Sequence, residues 1–439
     1  MLFADLRFRR PSQRDLRGVR RVGVLGMVAL STLVASSTAS LAQAPAPAPA
    51  SKPVPDSKAS GDAPDNPGPL ATDLSAKLEP KAIQAAVKKV ADWQLKVAEP
   101  TFNRLWTYAA LYDGLLRASK TTGDPKYRDA VAKYSQQEKW LLIDTRFPHA
   151  DDQAMGKAYM ELYLDDPKGA RQPERMAHTK EIMDRLVARP DDPAKLLWWW
   201  CDALYMALSV LSRMYLATGD KKYLDYMDRQ WWLTSAALYN PKDHLFFRDE
   251  RYLKQTQANG RSLYWSRGNG WVLGGLVKVL EMMPKDYPSR AKYVAQFREM
   301  AEAVKNIQSK DGLWRSGLLD PDAYELPEVS GSAFFTYAIA YGINENILDR
   351  KIYLPVVEKS WKGMLSHIYA DGRLGSIQPV DAQPGKFKPS ASHVYGVGGF
   401  LMAGYEMNRL ARGQHSTTAN PGSTRPASTT VAAGEESSG

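Results

Sequence analysis

Twelve segments with helical periodicity account for most of the chain between residues 79 and 411. Apolar side chains recur there every three to four residues, as in amphipathic helices, whereas alternating β-branched runs are few. Residues 244–249 (HLFFRD) are a candidate strand. The chain is therefore predicted to be all-α. The predicted helices cover residues 79–97, 101–119, 125–142, 153–166, 173–190, 197–217, 221–237, 270–284, 289–309, 331–344, 352–369 and 395–411.

A short internal repeat indicates how these helices are arranged. The sequence TGDPKY at residues 122–127 returns as TGDKKY at residues 218–223. In both copies the glycine is placed to end one helix and the aspartate to begin the next. Six helical hairpins of this kind predict an (α/α)6 barrel of two concentric rings, with an open α-solenoid as the alternative.

The helices also divide by composition. Odd-numbered helices carry many charges, as in KAIQAAVKKVADWQLKVAE, whereas even-numbered helices are rich in glycine, alanine and aromatic residues, as in GSAFFTYAIAYGI. We therefore expect the even-numbered helices to form a crowded inner ring and to run parallel to one another. Their N-termini, with free N–H groups and positive dipole ends, then meet at one end of the barrel and favour an anion.

Aromatic, acidic and arginine residues are concentrated before or within the first turns of the inner helices. Each of them alone is best explained as a core or capping residue. Their joint occurrence at one end of the predicted barrel instead indicates a ligand site. The segments are FNRLWTY (102–108), FPHADDQ (147–153), WWWCD (198–202), WSRGNGW (265–271), EVSGSA (328–333) and SHVYGVG (392–398).

The aspartate of WWWCDALYM, Asp202, fits a capping role least well. It lies in an apolar stretch, with Trp198 four residues before it and Tyr205 three residues after it on the predicted helical face. Apolar surroundings raise the pKa of a carboxylic acid, so the sequence predicts a proton donor at neutral pH. Asp151 or Asp152 supplies a second carboxylate, and paired acids between aromatic walls are typical of sugar sites.

The sequence does not favour metal, nucleotide or nucleic-acid chemistry. The six histidines lack HxxH or HxxxH spacing, and no phosphate-binding or dinucleotide-binding glycine motif follows a strand. The single cysteine, Cys201, is predicted to be a small buried side chain. Of the +10 net charge, seven arginines minus two aspartates up to Ala44 contribute +5, so the rest is only mildly basic. We predict no metal, no cofactor and no nucleic-acid partner.

The ends of the chain have a different composition from the middle. Residues 1–42 combine an arginine-rich start, an apolar run and the small-residue pattern Ser40-Leu41-Ala42, as in a signal peptide. Residues 43–75 are rich in proline and alanine and predict a disordered linker; residues 413–439 predict a disordered tail. The barrel then occupies residues 76–412. The apolar run of the leader is too short for a stable membrane anchor, and the protein is expected in the periplasm or outside the cell.

Four segments together carry a family resemblance that spans nearly the whole barrel. They are HADDQAMGKAYMELY, WWWCDALYMA, YWSRGNGWVLGGLVKVLE and PEVSGSAFFTYAIAYGI. The chain resembles the unsaturated glycuronyl hydrolases, above all the unsaturated rhamnogalacturonyl hydrolases of glycoside hydrolase family 105, with family 88 as the sister group. The resemblance implies an (α/α)6 barrel and release of a 4,5-unsaturated uronic acid from lyase-generated oligosaccharides, here pectic fragments. It also implies hydration of the C4=C5 bond, so the two-carboxylate glycosidase scheme does not apply directly.

The resemblance also implies roles for individual residues. Asp202 becomes the general acid and base, and Asp151 the second carboxylate, with Asp152 as an open alternative. Arg267 offers two parallel donors to the substrate carboxylate. Arg248 stands where many members have a histidine, which leaves the neighbouring sugar open. The predicted substrate-binding set is Asp152, His149, Trp200, Arg248, Trp265, Arg267, Trp271 and Tyr395.

Other functions stay open on the same barrel. An unsaturated glucuronyl hydrolase for another polyuronide, a sugar epimerase and a non-catalytic glycan-binding protein are the alternatives. Epimerase sites rely on histidine pairs, and few histidines lie at the predicted mouth. The expected partner is an oligosaccharide, and the chain is expected to be a monomer.

Export gives the first testable prediction. We expect the mature chain to begin near Gln43, because cleavage after Ala42 avoids placing Pro45 directly after the cut bond. N-terminal sequencing of the protein from culture medium or periplasm measures this. An intact leader on protein from the cytoplasm would contradict it.

Overall fold

A computed structural model describes residues 60–192 and 195–413, and α-helices dominate them. Four strands of two residues each also occur among these residues. The helices are α1 (Pro80–Ala98), α2 (Trp106–Thr122), α3 (Lys126–Gln137), α4 (Ala150–Gln153), α5 (Gly156–Asp165), α6 (Glu174–Val187), α7 (Ala203–Met206), α8 (Leu208–Thr218), α9 (Lys222–Leu238), α10 (Ser266–Met282), α11 (Arg290–Asn306), α12 (Val329–Asn344), α13 (Arg350–Leu365) and α14 (Val394–Arg412). The strands are β1 (Gly61–Asp62), β2 (Tyr239–Asn240), β3 (Leu245–Phe246) and β4 (Ser392–His393).

The inner helices form a closed ring. Helix α2 packs against α5, α5 against α8, α8 against α10, α10 against α12, α12 against α14, and α14 returns to α2. The outer helices α1, α3, α6, α9, α11 and α13 each pack against members of this ring. Because the last inner helix contacts the first, the (α/α)6 barrel is confirmed and the open solenoid is excluded.

The two repeated turns are built alike, as the internal repeat predicts. Gly123 and Gly219 end their helices with φ angles of 75°, in the left-handed region that favours glycine. The side chains of Asp124 and Asp220 then each accept a hydrogen bond from the backbone N–H two residues later, at 3.1 and 3.0 Å. These turns lie at the end of the barrel opposite the predicted site, since they follow the C-termini of inner helices.

Two inner helices are interrupted near the predicted mouth. Helix α4 is separated from α5, and the helix predicted from residue 197 begins only at Ala203, with Asp202 at its N-cap position. The tryptophans before it are not helical, because Trp200 pairs with Asp249 in an isolated β-bridge and the Cys201 N–H donates to the Arg248 carbonyl. The prediction that Trp198 shares a helical face with Asp202 is therefore wrong.

Short strands occur in two places. The candidate strand HLFFRD is partly formed, as β3 pairs with β2. Strand β1 pairs with β4, and Asp62 forms an ion pair with Arg373. Residues 60–75 thus belong to the folded part, because β4 supplies backbone partners, and this corrects the predicted end of the linker. The signal peptide (1–42), the linker residues 43–59 and the tail from residue 414 lie outside the described residues.

Within the described part of the chain, no helix has the length and apolar character needed to cross a membrane. The predicted leader lies outside this range.

Ring closure brings α2 and α14 unusually close together. A Cβ atom added to Gly398 would lie 2.2 Å from the Ala110 carbonyl oxygen, and one added to Gly114 would lie 2.6 Å from the Gly398 Cα atom. No side chain fits between the two helices at this level. Glycine is therefore required on both.

We expect Gly398→Ala to destabilise the barrel, because the added methyl group has to push two backbones apart. Overpacking of this kind costs ~1–3 kcal/mol, and thermal unfolding measures the loss. Gly169→Ala is the matched control, because Gly169 is exposed and nothing lies within 4 Å of its added Cβ atom. Equal melting temperatures for the two variants would contradict the close approach.

Candidate active site

The predicted site residues come together at one end of the barrel. Asp151 and Asp152 lie in the first turn of α4, Asp202 precedes α7, and Arg267 lies in the first turn of α10. Tyr395 lies in the first turn of α14. Helices α4 and α7 contact each other. The two candidate acids therefore stand on neighbouring inner helices.

Asp202 has an ionic environment rather than a purely aromatic one. Although it occupies the N-cap position of α7, its side chain makes no capping hydrogen bond. Its Oδ2 atom lies 3.4 Å from Arg248 Nε and 3.5 Å from Cys201 Sγ. The side chain is 12% exposed. The structure thus places a guanidinium beside Asp202, where apolar surroundings were predicted.

Arg248 is fixed in position from two directions. Its carbonyl accepts the Cys201 N–H at 2.8 Å, and its guanidinium donates to Asp249 Oδ2 at 2.7 Å. Asp249 is completely buried and also accepts two side-chain hydrogen bonds from Arg251, each at 2.8 Å. Trp199 lies on the Arg248 guanidinium at 5.7 Å. These contacts hold Arg248 Nε beside Asp202.

Asp151 has the opposite environment. Among the described residues its carboxyl group receives no hydrogen bond, and His149 Nδ1 lies 3.7 Å from Asp151 Oδ2. Burial, reinforced by the negative charge of Asp202, raises the pKa of Asp151 to about 7, despite the opposing charge of Arg146. The side chain still exposes 18% of its surface. Asp151 therefore holds a proton up to neutral pH while its side chain remains partly exposed.

His149 is a neutral neighbour of this acid. Burial and the positive charge of Arg146 lower the pKa of His149 to about 4. Its Nδ1 atom accepts the Asp151 N–H at 3.3 Å and so caps α4. Its ring lies 4.7 Å from the Trp200 ring. His149 thus orients the turn that carries Asp151 without adding a positive charge.

The structure gives Asp152 and Asp151 different roles. The Asp152 side chain is only 2% exposed and forms an ion pair with Arg146, whose Nε lies 3.0 Å from Oδ1. The Arg146 backbone N–H also donates to Asp152, at 3.2 Å. Asp152 therefore holds the loop before α4, and Asp151 is the member of the pair whose pKa the negative charge of Asp202 raises.

Arg267 does not present its donors to the cleft. It is completely buried between the rings of Trp265 and Tyr395, at 4.4 and 4.8 Å. Its two terminal nitrogens donate to the carbonyls of Gln378 and Pro379, each at 2.8 Å. The predicted carboxylate contact is corrected accordingly. Arg267 fixes the loop after Ile377, because its two terminal nitrogens donate to loop carbonyls and its side chain has no exposed surface.

The remaining predicted aromatic residues support the site from below. Trp271 is completely buried against Phe334 and Tyr205. Trp265 donates to Gln378 Oε1 at 2.9 Å, and the Tyr395 hydroxyl donates to the Gln378 carbonyl at 2.6 Å. Because these three rings are at most 2% exposed, they support the site from the core and offer no open face to a sugar.

The most exposed indole near the site, Trp199, is absent from the predicted set. It is 43% exposed and tilts against Trp200, with ring centroids 5.0 Å apart. Trp200 itself is 4% exposed. The three consecutive tryptophans at residues 198–200 are the sequence feature that indicated an aromatic residue at the site. The predicted set took Trp200 from the family resemblance, and the structure instead exposes Trp199.

Among the described residues, no cluster of three or more His, Cys, Asp or Glu side chains is arranged to hold a metal ion.

Comparison with known proteins places this geometry in a family. Residues 77–411 match the family described as Glycosyl Hydrolase Family 88. The chain belongs to glycosyl hydrolase family 88. It is 38% identical over 347 residues to an unsaturated 3S-rhamnoglycuronyl hydrolase from Formosa agariphila, which covers 75% of this chain and 91% of the relative.

Two further comparisons agree. A protein of the same name from an Alteromonas species is 32% identical over 372 residues, or 77% of this chain and 89% of the relative. A solved structure of a glycosyl hydrolase family 88 protein from Bacteroides vulgatus is 28% identical and has a TM-score of 0.70. It covers 76% of this chain and 99% of that chain. The protein is therefore a hydrolase that releases unsaturated uronic acid from lyase-generated oligosaccharides.

The two neighbouring aspartates give a matched pair of variants. We expect Asp151→Asn to lower kcat ~10²–10⁴-fold, the usual contribution of a general acid or base. Its folding should be retained, because the carboxyl group accepts no hydrogen bond from the described residues. Asp152→Asn should instead lower the melting temperature, because it breaks the ion pair with Arg146. Kinetics and thermal unfolding separate the two, and loss of kcat confined to Asp152→Asn would contradict the assignment.

Proposed function

We propose that the enzyme removes a 4,5-unsaturated uronic acid whose neighbouring sugar is a rhamnose sulfated at O3, by adding water to the C4=C5 bond. The observation that carries the chemistry is the pair Asp151 and Asp202, two carboxyl groups on adjacent helices with opposite surroundings. Hydration requires one proton donor and one proton acceptor. A pair whose environments differ supplies both at the same pH.

The relatives support the substrate class. Both 3S-rhamnoglycuronyl hydrolases align with about three quarters of this chain, and their shared name motivates the sulfated rhamnose. An anionic substrate also suits the charges of the mouth. Arg248 lies beside the acids, and the Arg146 side chain is 52% exposed at the loop before α4.

Trp199 supplies a sugar platform in this proposal. Its exposed indole stands next to Trp200 and above the Arg248 guanidinium. Aromatic faces stack on the C–H-rich faces of sugar rings, and an arginine beneath the ring favours a negatively charged sugar nearby. We place the second sugar on this indole.

A pectic fragment is the second candidate substrate. It rests on the motif WSRGNGW and the segments that resemble rhamnogalacturonyl hydrolases. Both candidates share the unsaturated uronic acid and a rhamnose in the next position. They differ in the sulfate and in the way the uronic acid is joined to the rhamnose, so turnover of the two can be compared directly.

We also propose that the enzyme works in the periplasm or outside the cell. The basis is the charged, then apolar, then small-residue order of residues 1–42. Lyase products of large polysaccharides arise outside the cytoplasm, and a secreted enzyme meets them there.

Three unsaturated disaccharides test the proposal. They carry 3-sulfated rhamnose, unsulfated rhamnose, or the pectic arrangement, and loss of the conjugated ultraviolet absorbance measures turnover of each. We expect kcat/KM for the sulfated disaccharide to exceed the others by about tenfold or more, because a charged hydrogen bond lost on binding costs about that factor. Asp202→Asn is the inactive control. Faster turnover of the pectic disaccharide would favour the second candidate, and comparable cleavage of neutral aryl glycosides would exclude unsaturated uronide specificity.

A further inference from the structure

The chain segment before α1 is bound to the loop between α13 and α14. Residues 60–73 form this segment, which we call the N-terminal arm. The arm begins with β1, which pairs with β4 at the end of the loop. Two more backbone hydrogen bonds, each 2.8 Å long, join the other end of the arm to Ile368 and Ala370. The arm therefore contacts both ends of a loop that covers residues 366–393.

At its first residues the arm is fixed by β4 and not by close packing on the outer helix α1. A cavity of about 180 Å³ is lined by residues 60–62 of the arm and by Trp93 and Gln94 of α1. In contrast, Gly61 lies directly against β4, since an added Cβ atom would lie 2.0 Å from the Ser392 carbonyl oxygen. The strand pairing therefore determines where the arm begins.

Polar side chains reinforce the connection between the arm and the loop. Asp62 forms an ion pair with Arg373, whose side chain is only 9% exposed. The Arg373 guanidinium also donates to the Ser390 carbonyl at 3.3 Å. The Ser390 hydroxyl in turn donates to the Pro64 carbonyl of the arm at 2.6 Å. The arm thus joins two parts of the loop that are 17 residues apart.

The same loop contacts residues of the candidate active site. Its residues 380–389 are all half-buried or exposed, and we call them the lobe. Just before the lobe, the Gln378 carbonyl accepts hydrogen bonds from Arg267 and Tyr395, at 2.8 and 2.6 Å. Directly after the lobe comes Ser390, which is bound to the arm. One end of the lobe is therefore fixed by site residues and the other end by the arm.

Contacts within the lobe place it beside the start of α10. The Gly385 carbonyl accepts the Ser316 hydroxyl at 3.2 Å, and the Ser316 carbonyl accepts the Ser266 N–H at 2.8 Å. Because the N-termini of the inner helices face the mouth of the barrel, the lobe lies at its rim. Among the described residues, the lobe makes no hydrogen bond or ion pair with Asp151 or Asp202.

A strained residue indicates that the loop depends on these supports. Ser376 has a φ angle of 56°, in the left-handed region that residues with a Cβ atom rarely adopt. Its N–H donates to the Pro389 carbonyl, and its own carbonyl accepts the Val329 N–H, each at 2.8 Å. A residue keeps such a conformation only where the surrounding contacts impose it. We therefore expect the loop to change its conformation when its contacts with the arm are lost.

We propose that the N-terminal arm positions the lobe at the rim of the active site and that substrate binding depends on this position. The arm acts through the lobe and takes no part in the chemical step. It is therefore a positioning element and not a catalytic one. The arm should have this role with any unsaturated disaccharide that the enzyme hydrolyses, whatever the neighbouring sugar.

Gly61→Ala in the full-length enzyme tests the arm. The added methyl group collides with the Ser392 carbonyl and the His393 ring, so β1 should separate from β4. We expect KM for the best of the three unsaturated disaccharides to rise about tenfold, which corresponds to about 1.4 kcal/mol of binding free energy. Because the lobe does not contact the two acids, kcat should stay within about twofold of the wild-type value.

Asp62→Asn is a milder second variant, because it removes the ion pair with Arg373 without a collision. KM should rise about threefold, and Asp62→Glu should restore most of the loss because it retains the charge. The matched control is Asp73→Asn, the same substitution in the same arm. Asp73 pairs with Lys89 of α1 at 3.0 Å and not with the loop, so KM should equal that of the wild type.

Hydrogen–deuterium exchange shows whether the loop has changed. In Gly61→Ala we expect faster exchange in peptides that cover residues 366–393, because the N–H groups of Ser376 and Ile377 donate to carbonyls just before β4. Peptides that cover α4 and α7 should exchange as in the wild type. This combination of local exchange and a change in KM alone is not expected of a segment that only stabilises the fold.

Two results would overturn the proposal. Faster exchange in the loop with an unchanged KM would mean that binding does not depend on the position of the lobe. Faster exchange throughout the barrel, with kcat and kcat/KM lowered equally, would mean that the arm only stabilises the fold. Hydrolysis of any one of the three disaccharides is sufficient for these measurements, so failure of the proposed sulfate preference leaves the test of the arm intact.

Discussion

Contact between the first and last inner helices is the constraint on which the rest of the structure depends. Gly114 and Gly398 allow α2 and α14 to meet with no side chain between them, and this contact turns six helical pairs into a closed ring. Only a closed ring brings all six inner N-termini to one mouth. The site then follows from the turns that begin these helices, because short helices such as α4 and α7 leave room for polar side chains there.

Buried carboxyl groups have different charged neighbours at the two ends of the barrel. Towards the C-termini of the inner helices, Glu161 has salt bridges to Arg117, Lys120 and Arg213, at 3.6, 3.1 and 3.1 Å. Burial alone would raise the pKa of Glu161, but these cations hold it well below its usual range. For Asp151, the opposing charges of Arg146 and Arg248 do not offset burial, and its pKa rises to about 7. A buried carboxyl group surrounded by cations thus contributes to the structure, whereas a buried carboxyl group with weaker cationic neighbours can act as an acid.

Much of the fold and the place of the site could be predicted from sequence. Helical periodicity and the repeated TGD turn are local, and the aromatic and acidic residues before the inner helices are visible without a structure. The errors concern contacts between distant segments. Arg248 reaches Asp202 only through the bridge between Trp200 and Asp249, and Arg267 is buried by carbonyls of Gln378 and Pro379. Local sequence patterns do not indicate such contacts between distant segments.

The closure of the ring also determines how the chain can fold. The two helices that close it, α2 and α14, are separated in the sequence by nearly the whole barrel. The pairing of β1 with β4 joins segments that are similarly far apart in the sequence. Contacts between such distant segments carry a large loop-closure entropy and form late. Until α14 is present, the sides of α2 and α12 that contact it have no covering neighbour, so a chain truncated before Val394 has an open, aggregation-prone edge instead of a smaller barrel.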